Sequence, residues 1–336
     1  NSPSMYDAEV DEIVTVGVFI PVFKAAGQLP ALLGALAQGT CPVRILIGEC
    51  ASSDATSTLA DTFGAGLMHI SPESFDHGLT REEGRRHLGT DIVVMMTQDA
   101  HPANERTIEL LIQPILRGEA SVSYARQVAR PEAGFIEAFR RKFNYPEEGQ
   151  LRGIEDAARF GFSTFFCSNS CAAYLSSALD SIGGFRRILS HEDFYTTARL
   201  LAAGHKIAYV AESVVVHSHC WTLMQEFRRA FDAGHVLTDH PWVAQIVGGA
   251  EHRGIQFVGA CLRSAWNGHK RHLPYILAQS CVRWFGYRTG YNGASLLPST
   301  LKQRFSSQPG YFARVHSAPG ETHPILPLEV PQSTEG

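Results

Sequence analysis

The chain has 336 residues, of which 44% are hydrophobic and 18% charged, and its formal net charge at pH 7 is −4. That apolar fraction fills a sizeable core and excludes a chain disordered along its whole length. Its 30 glycines follow no G-X-Y period, which excludes collagen, and seven cysteines in so long a chain exclude a disulfide-stapled mini-protein.

The length is compatible with two domains. The first fourteen residues, NSPSMYDAEVDEIV, hold four acids and no base, so a cationic secretory leader is not expected. Residues 13–20, IVTVGVFI, are a β-branched run closed by Pro21 and read as a buried strand. Residues 28–38 have helical apolar spacing, and 43–48, VRILIG, form the next strand. A helix over 52–64 opens on Ser52 and Asp54 at its cap. Residues 67–70 are a third strand, 79–89 a helix ending at glycine, 91–100 a fourth strand, and 105–118 another helix. This alternation predicts a parallel, doubly wound sheet. Ligands of such sheets sit at the carboxyl ends of the strands, where Glu49, Ser52, Asp54, Gln98 and Asp99 converge.

The second half changes character. Residues 121–129 and 164–175 read as strands, 175–185 as a short helix, 192–204 as a helix opened by acids, and 206–219 as strand, turn, strand. From Trp221 to Phe305 the pattern is helical, with aromatics among basic residues. The segment 306–336, with prolines at 309, 319, 324, 327 and 331, reads as a loose strap.

Charge divides along the same line. Residues 1–220 hold 18 Lys+Arg against 26 Asp+Glu, a balance of −8; residues 221–305 hold 10 against 4, a balance of +6. An acidic body argues against general nucleic-acid binding. The basic block suits a local anionic partner such as a membrane surface or a phosphorylated lipid, or is a solvated helical face. No run approaches 18 apolar residues, so no spanning helix is expected. The seven cysteines are odd in number and form no CxxC, which reads as free thiols in a reducing compartment.

Several positions can carry chemistry. Asp99 ends a strand in MMTQDAHP, where a carboxylate can hold the cation of a bound diphosphate or cap the next helix. His217 and His219, two apart on an extended segment, face the same way and can share a metal or be polar surface. Glu192 and Asp193 open a helix, where an acid serves as a cap or takes a proton from a hydroxyl nucleophile. FDHGLTR places Arg81 at a helix N-terminus, suited to phosphate. A Walker A loop, a GxGxxG after a strand, a GxSxG elbow and HExxH are all missing, which argues against P-loop NTPases, dehydrogenases, α/β-hydrolases and zincins.

In order, VGVFIPVFKA, ECASSDAT, FDHGLTR, VVMMTQDAHP, YARQ, EAFRRKFNYP, FCSNSCAAYLSSALDSIGGF, HEDFYTTARLLAAGHKIAYVAESVVVHSH and GYRTGYNGASLLP resemble inverting family 2 glycosyltransferases. Within them the likeness is to bacterial rhamnosyltransferases of O-antigen and polysaccharide assembly, and it runs from about Val14 to Phe312. The resemblance implies an α/β GT-A fold: a Rossmann-like, mostly parallel central sheet flanked by helices. It implies a catalytic domain over 13–220, a helical basic region over 221–305 and a Pro-rich tail over 306–336.

It further implies roles residue by residue. Asp193 matches the catalytic base. Pro21, Phe23, Glu49, Asp54, Arg81, Gln98 and Asp99 fall among the nucleotide-sugar contacts. Ser168, Asn169, Glu192 and His219 fall on the side of the donor sugar and acceptor. Asp99 and His217 would hold a divalent cation, Mg²⁺ or Mn²⁺. Three positions depart from the pattern: Thr97 replaces the first acid of DxD, Glu82 an Asn, and Glu49 an Asp. The implied reaction moves a hexose, L-rhamnose from a dTDP donor, onto a saccharide hydroxyl with inversion. The implied acceptor includes lipid-linked saccharides, at the inner face of the cell membrane. A UDP-hexose donor is the second enzyme reading. A nucleotide-sugar-binding protein without turnover is the reading from another class, and the retained Asp193 and His217 argue against it.

Overall fold

The computed structural model describes residues 14–25, 27–50, 55–247, 251–293 and 295–315. Asp54 and Ser52 therefore lie outside the described residues, as does the chain from 316 onward. Strand β1 (Val16–Val22) is followed by α1 (Leu29–Ala37), β2 (Arg44–Cys50), α2 (Ala55–Phe63), β3 (Gly66–Ile70), α3 (His77–Leu88) and β4 (Ile92–Met96). Strands β3, β2, β1 and β4 are neighbours in that order and run parallel. The apolar runs of β1 and β4 are buried on both faces, as central parallel strands under helices must be, while the edge strand β3 is exposed at Gly66 and His69. Pro21 does not close β1; it sits within the strand, opposite Gly48.

Helix α3 begins two residues before its expected start at Leu79. Asp76 caps it, accepting hydrogen bonds from the Gly78 and Leu79 amides at 3.0 Å each. It ends on Gly89 at φ 57°, a left-handed C-cap preceded by Arg85, Arg86 and His87, which suit the negative end of the helix dipole. Gly78 is required by packing: a Cβ there would collide with the Arg186 carbonyl.

Beyond β4 the chain forms β5 (His101–Pro102), α4 (Thr107–Leu116), β6 (Val122–Val128), α5 (Phe135–Asn144), β7 (Gln150–Arg152), α6 (Ala157–Phe160), β8 (Cys171–Leu175), α7 (Ser176–Ser181), α8 (Glu192–Ala202) and β9 (Ile207–Val216). The sheet continues from β4 to β8, β6, β9 and β5, with β7 also on β9. Here strand direction becomes mixed, within a sheet that is mostly parallel as expected. Strand β8 runs antiparallel to both β4 and β6, while β6 and β9 are parallel to each other. The expected strand over 91–100 stops at Met96, and that over 164–175 is strand only from Cys171. The expected strand-turn-strand over 206–219 is one strand, β9, whose register against β6 shifts between Ala125 and Arg126.

The C-terminal part is helical: α9 (Leu223–Asp239), α10 (Pro241–Val247), α11 (Glu251–Trp266), α12 (Leu273–Gly293), α13 (Ser299–Phe305) and α14 (Pro309–Val315). Helices α9 and α12 touch backbone to backbone. A Cβ on Gly286 would strike the Phe227 carbonyl, and one on Gly290 the Phe231 carbonyl. The first residues of the expected strap are held in place: the Ser307 amide donates to Asp232 Oδ2 at 2.9 Å, and Phe312 of α14 is buried. All seven cysteines are free. No helix among the described residues is long and apolar enough to cross a membrane.

Candidate active site

The carboxyl ends of β4, β6 and β9 meet at one place. Asp99 lies in the turn after β4, and His217 and His219 follow β9. The two segments are stitched together because β5, immediately after Asp99, pairs with the end of β9, His101 opposite Val216. Asp99 Oδ1 lies 3.4 Å from His217 Nε2, and Asp99 Oδ2 lies 3.3 Å from His219 Nε2. One ligand atom from each of the three falls within 4.8 Å of the others. Burial pushes the Asp99 carboxyl up, but the His217 hydrogen bond and charge, with the His219 charge, outweigh it and hold Asp99 well below the usual carboxylate range.

The structure thus groups His219 with Asp99 and His217 rather than with the acceptor-side residues. The two-residue spacing was the available signal. One carboxylate oxygen and two imidazole nitrogens are a donor set that suits Mn²⁺ and similar divalent cations.

The second cluster forms at the start of α8. Its cap, His191, has φ 59°, a left-handed conformation that costs a non-glycine residue about 1–3 kcal/mol and is characteristic of functional turns. Half-buried Asp193 accepts from the Phe194 amide at 2.8 Å and the Asn169 amide at 3.2 Å. Glu192, beside it, is buried. It accepts from Asn169 Nδ2 at 3.1 Å and pairs with Arg81 Nη1 at 3.2 Å. Neighbouring carboxyls are thereby driven apart. Burial, and then the Glu192 charge, raise Asp193 to about 7 against the pull of the two amides. Burial opposes ionisation of Glu192, but Arg81 and His77 overcome it and keep Glu192 below its ordinary value. A carboxyl poised near neutrality is suited to take a proton at physiological pH.

Several expected contacts occupy different posts. Arg81 is buried; besides Glu192 its Nη1 reaches the His77 carbonyl at 2.8 Å. It sits beneath the α8 acids, where the first turn of α3 packs. Asn169 has its amide nitrogens on the two acids, while its Oδ1 accepts from Tyr174 Oη at 2.7 Å. It fixes the acid pair from one side. Gln98 braces the first loop: its Oε1 accepts from the Phe23 amide at 2.8 Å, and its Nε2 donates to the Phe23 carbonyl and Gln28 Oε1, both at 3.3 Å. Phe23 is thereby held exposed beside Pro21 at the end of β1. Glu49, opposite Val22 and buried, pairs with His69 Nδ1 at 2.9 Å. Ser168 Oγ accepts from Gln127 Nε2 at 2.8 Å. Glu82, where the family pattern has Asn, clamps Arg85 and Arg86 at 2.7 Å each and the Phe185 amide at 3.0 Å.

Sequence reasoning missed a basic rim beside the histidines. Trp221 stacks 4.5 Å from His219, and the Arg229 guanidinium lies 4.8 Å from the Trp221 ring. Arg141 lies over Tyr145. Burial, His217, Arg141 and Arg229 together push His219 down to about 4 against the pull of Asp99. Nearby, one carboxylate, Glu226, serves Arg140 at 2.7 Å and Arg283 at 3.1 Å. Among the described residues Arg141 and Arg229 form no ion pair.

No protein-family model matches the chain. It is 33% identical to the O-antigen chain rhamnosyltransferase WbaN of Salmonella anatum, over 82% of this chain and 87% of that protein. It is 30% identical to the O-antigen chain rhamnosyltransferase RfbN of Salmonella typhimurium, over 89% of this chain and 96% of that protein. Among solved structures, the mannosyltransferase PcManGT of Pyrobaculum calidifontis, in complex with GDP-Man and Mn²⁺, superposes with a TM-score of 0.54 at 14% identity, covering 90% of this chain and 86% of that one. The arrangement of sheet and flanking helices is therefore that of the GT-A glycosyltransferases.

Proposed function

Because the chain belongs to the bacterial O-antigen chain rhamnosyltransferases, and is therefore a glycosyltransferase, we propose that it moves L-rhamnose from dTDP-L-rhamnose onto a saccharide hydroxyl in O-antigen assembly. The observation that carries the mechanism is the split pair of carboxyls at the start of α8. Asp193 Oδ2 takes the acceptor hydroxyl proton as the hydroxyl oxygen bonds to the anomeric carbon. The bond from that carbon to the diphosphate breaks, and its electron pair leaves on the phosphate oxygen. A single displacement inverts, so a β-linked donor gives an α-rhamnoside. Glu192, kept ionised by Arg81, holds the Asp193 proton affinity near neutrality. Asn169 orients both acids.

Asp99, His217 and His219 would hold a divalent cation, Mg²⁺ or Mn²⁺, which would neutralise charge developing on the leaving diphosphate. Phe23, Pro21 and Glu49 form the edge on which the pyrimidine base rests, since an acid accepts from its N3–H. Asp54 is assigned to the same edge by its motif alone. The test is transfer from dTDP-, UDP- and GDP-sugars to a lipid-linked O-antigen acceptor, with the anomer read by NMR. Transfer of α-rhamnose from the dTDP donor is expected. Transfer only from a GDP-sugar overturns the donor assignment.

The acceptor is a lipid-linked diphosphate saccharide, for which unpaired Arg141 and Arg229 provide cationic groups beside the site. The protein works at the inner face of the cell membrane, through the basic region 221–305. Trp266, Trp284, Phe285 and Ile255 are exposed on α11 and α12, with Lys270 4.9 Å from the Trp266 ring. Rings favour the headgroup level, and each basic residue near an anionic surface contributes about 1 kcal/mol. Wild-type protein is expected to co-sediment with anionic vesicles at low salt. Arg263/Lys270/Arg271→Glu should weaken this on the order of a hundredfold. Equal partitioning of the two proteins removes the membrane assignment and leaves the transferase assignment standing.

A further inference from the structure

We propose that Gln127 is a positioning residue for the cation site: its side-chain amide fixes the tautomer of His217 and ties that histidine to the loop that holds Asp193. The inference rests on reading Asp99, His217 and His219 as cation ligands.

Gln127 is buried near the end of β6, opposite Val215 of β9. It arrives there through the register shift after Ala125. Arg126, the next residue of β6, pairs with Val214, so three residues of β9, 211–213, are left without a β6 partner. The same pairing carries His217 alongside, with its amide donating to the Val128 carbonyl at 2.9 Å.

Gln127 Nε2 donates to Ser168 Oγ at 2.8 Å, and Oε1 lies 2.9 Å from His217 Nδ1. The Ser168 hydroxyl directs its own proton to Ser170 Oγ at 3.3 Å, so it is the acceptor toward Gln127. This orients the amide. In that orientation the amide oxygen is an acceptor, which matches it to a His217 ring protonated on Nδ1. In the neutral ring the lone pair is then on Nε2, 3.4 Å from Asp99 Oδ1. Two electron-rich atoms facing each other at that distance are stable only with positive charge between them or on the ring. A second ring proton, hydrogen-bonded to Asp99, meets that condition in the free protein, and a divalent cation meets it when bound. The other end of the amide acts on the base. Ser168 immediately precedes Asn169, whose amide bonds Asp193 and whose side chain bonds Glu192. One glutamine therefore bridges the cation ligand after β9 and the acid pair at the start of α8.

The test is Mn²⁺ affinity of the full chain, measured with Mn²⁺ alone by the loss of its free EPR signal. Outer partners of metal-bound histidines are typically worth about 10–100-fold in metal affinity. Gln127→Leu should weaken Mn²⁺ by about that factor. Gln127→Glu keeps an acceptor for Nδ1–H and should bind Mn²⁺ at least as tightly as wild type, while losing the donor to Ser168. A residue with only a packing role predicts the reverse order, because a buried carboxylate perturbs packing more than leucine does. Wild-type affinity in the Leu variant, or weaker binding by the Glu variant than by the Leu variant, overturns the proposal. A wild-type protein that binds no Mn²⁺ at all overturns the cation reading itself, and the inference with it.

Discussion

Asp193→Asn reduces turnover by about 10²–10⁴, the range that positioned general-base catalysis supplies, and leaves donor-nucleotide affinity within about twofold of wild type. The amide keeps the size of the side chain, and its oxygen can still accept from the Phe194 or Asn169 amide. What it loses is the ability to take a proton, which matters in the transition state and not in the ground state. The same assignment fixes the pH dependence. The carboxyl is raised to about 7 and works in its ionised form, so kcat/KM falls about tenfold per pH unit below that value and levels off above it. Glu192→Gln removes the neighbouring negative charge that helps keep Asp193 high, so the acid limb moves to lower pH. Steady-state kinetics across pH on three proteins, wild type and the two variants, check both statements. Normal turnover by the Asn variant would remove Asp193 from the mechanism. An acid limb unmoved in the Gln variant would remove the coupling between the two acids.

Asp99→Ala produces the second large effect. It removes the one carboxylate of the cluster and leaves two imidazoles, which are poor partners for a hard divalent ion without an anionic oxygen. Mn²⁺ affinity should fall by at least about a hundredfold, beyond what an outer partner is worth. Chelation of wild-type protein with EDTA should reproduce the loss of transfer, and added Mn²⁺ or Mg²⁺ should restore it. His217→Ala should act in the same direction. Transfer indifferent to chelator would mean that no cation assists departure of the diphosphate, and that Arg141 and Arg229, unpaired beside His219, carry that charge alone.

The parts of the fold that follow local periodicity were legible in the amino-acid order. Strands β1, β2 and β4 announce themselves as apolar, β-branched runs, and α3 by its terminal Gly89. The reversal at β8 was not legible, because the direction of a strand is a tertiary property that its own side-chain pattern does not encode. Helix α5 escaped because its first turn carries Phe135 and Ile136, which fit a strand as well as a helix, although the basic pair Arg141 and Lys142 suits a helix end. Among site residues, Asp193 and Asp99 end up where strand-end and helix-start logic places them. The mismatch arises at polar residues with several hydrogen-bonding groups. Asn169, Gln98 and Arg81 are the types that bind sugars and phosphates, yet here much of their hydrogen bonding goes to neighbouring backbone and side chains. Only three-dimensional placement shows which groups remain free. Gln127 carried no signal beyond its place in YARQ.

The contact between α9 and α12 has a consequence for anyone who recombines these enzymes. Hydrogen atoms of Gly286 and Gly290 are all that separates one helix's backbone from the carbonyls of the other, and Gly234 makes the reciprocal approach to the Tyr287 carbonyl. Helices keyed in this way cannot slide or accept a foreign partner whose glycines are offset by a residue. A chimera that takes only α12 from a relative, to import its surface, inherits a mismatched mate. The heritable unit is the pair, from Leu223 through Gly293, and crossovers belong outside it.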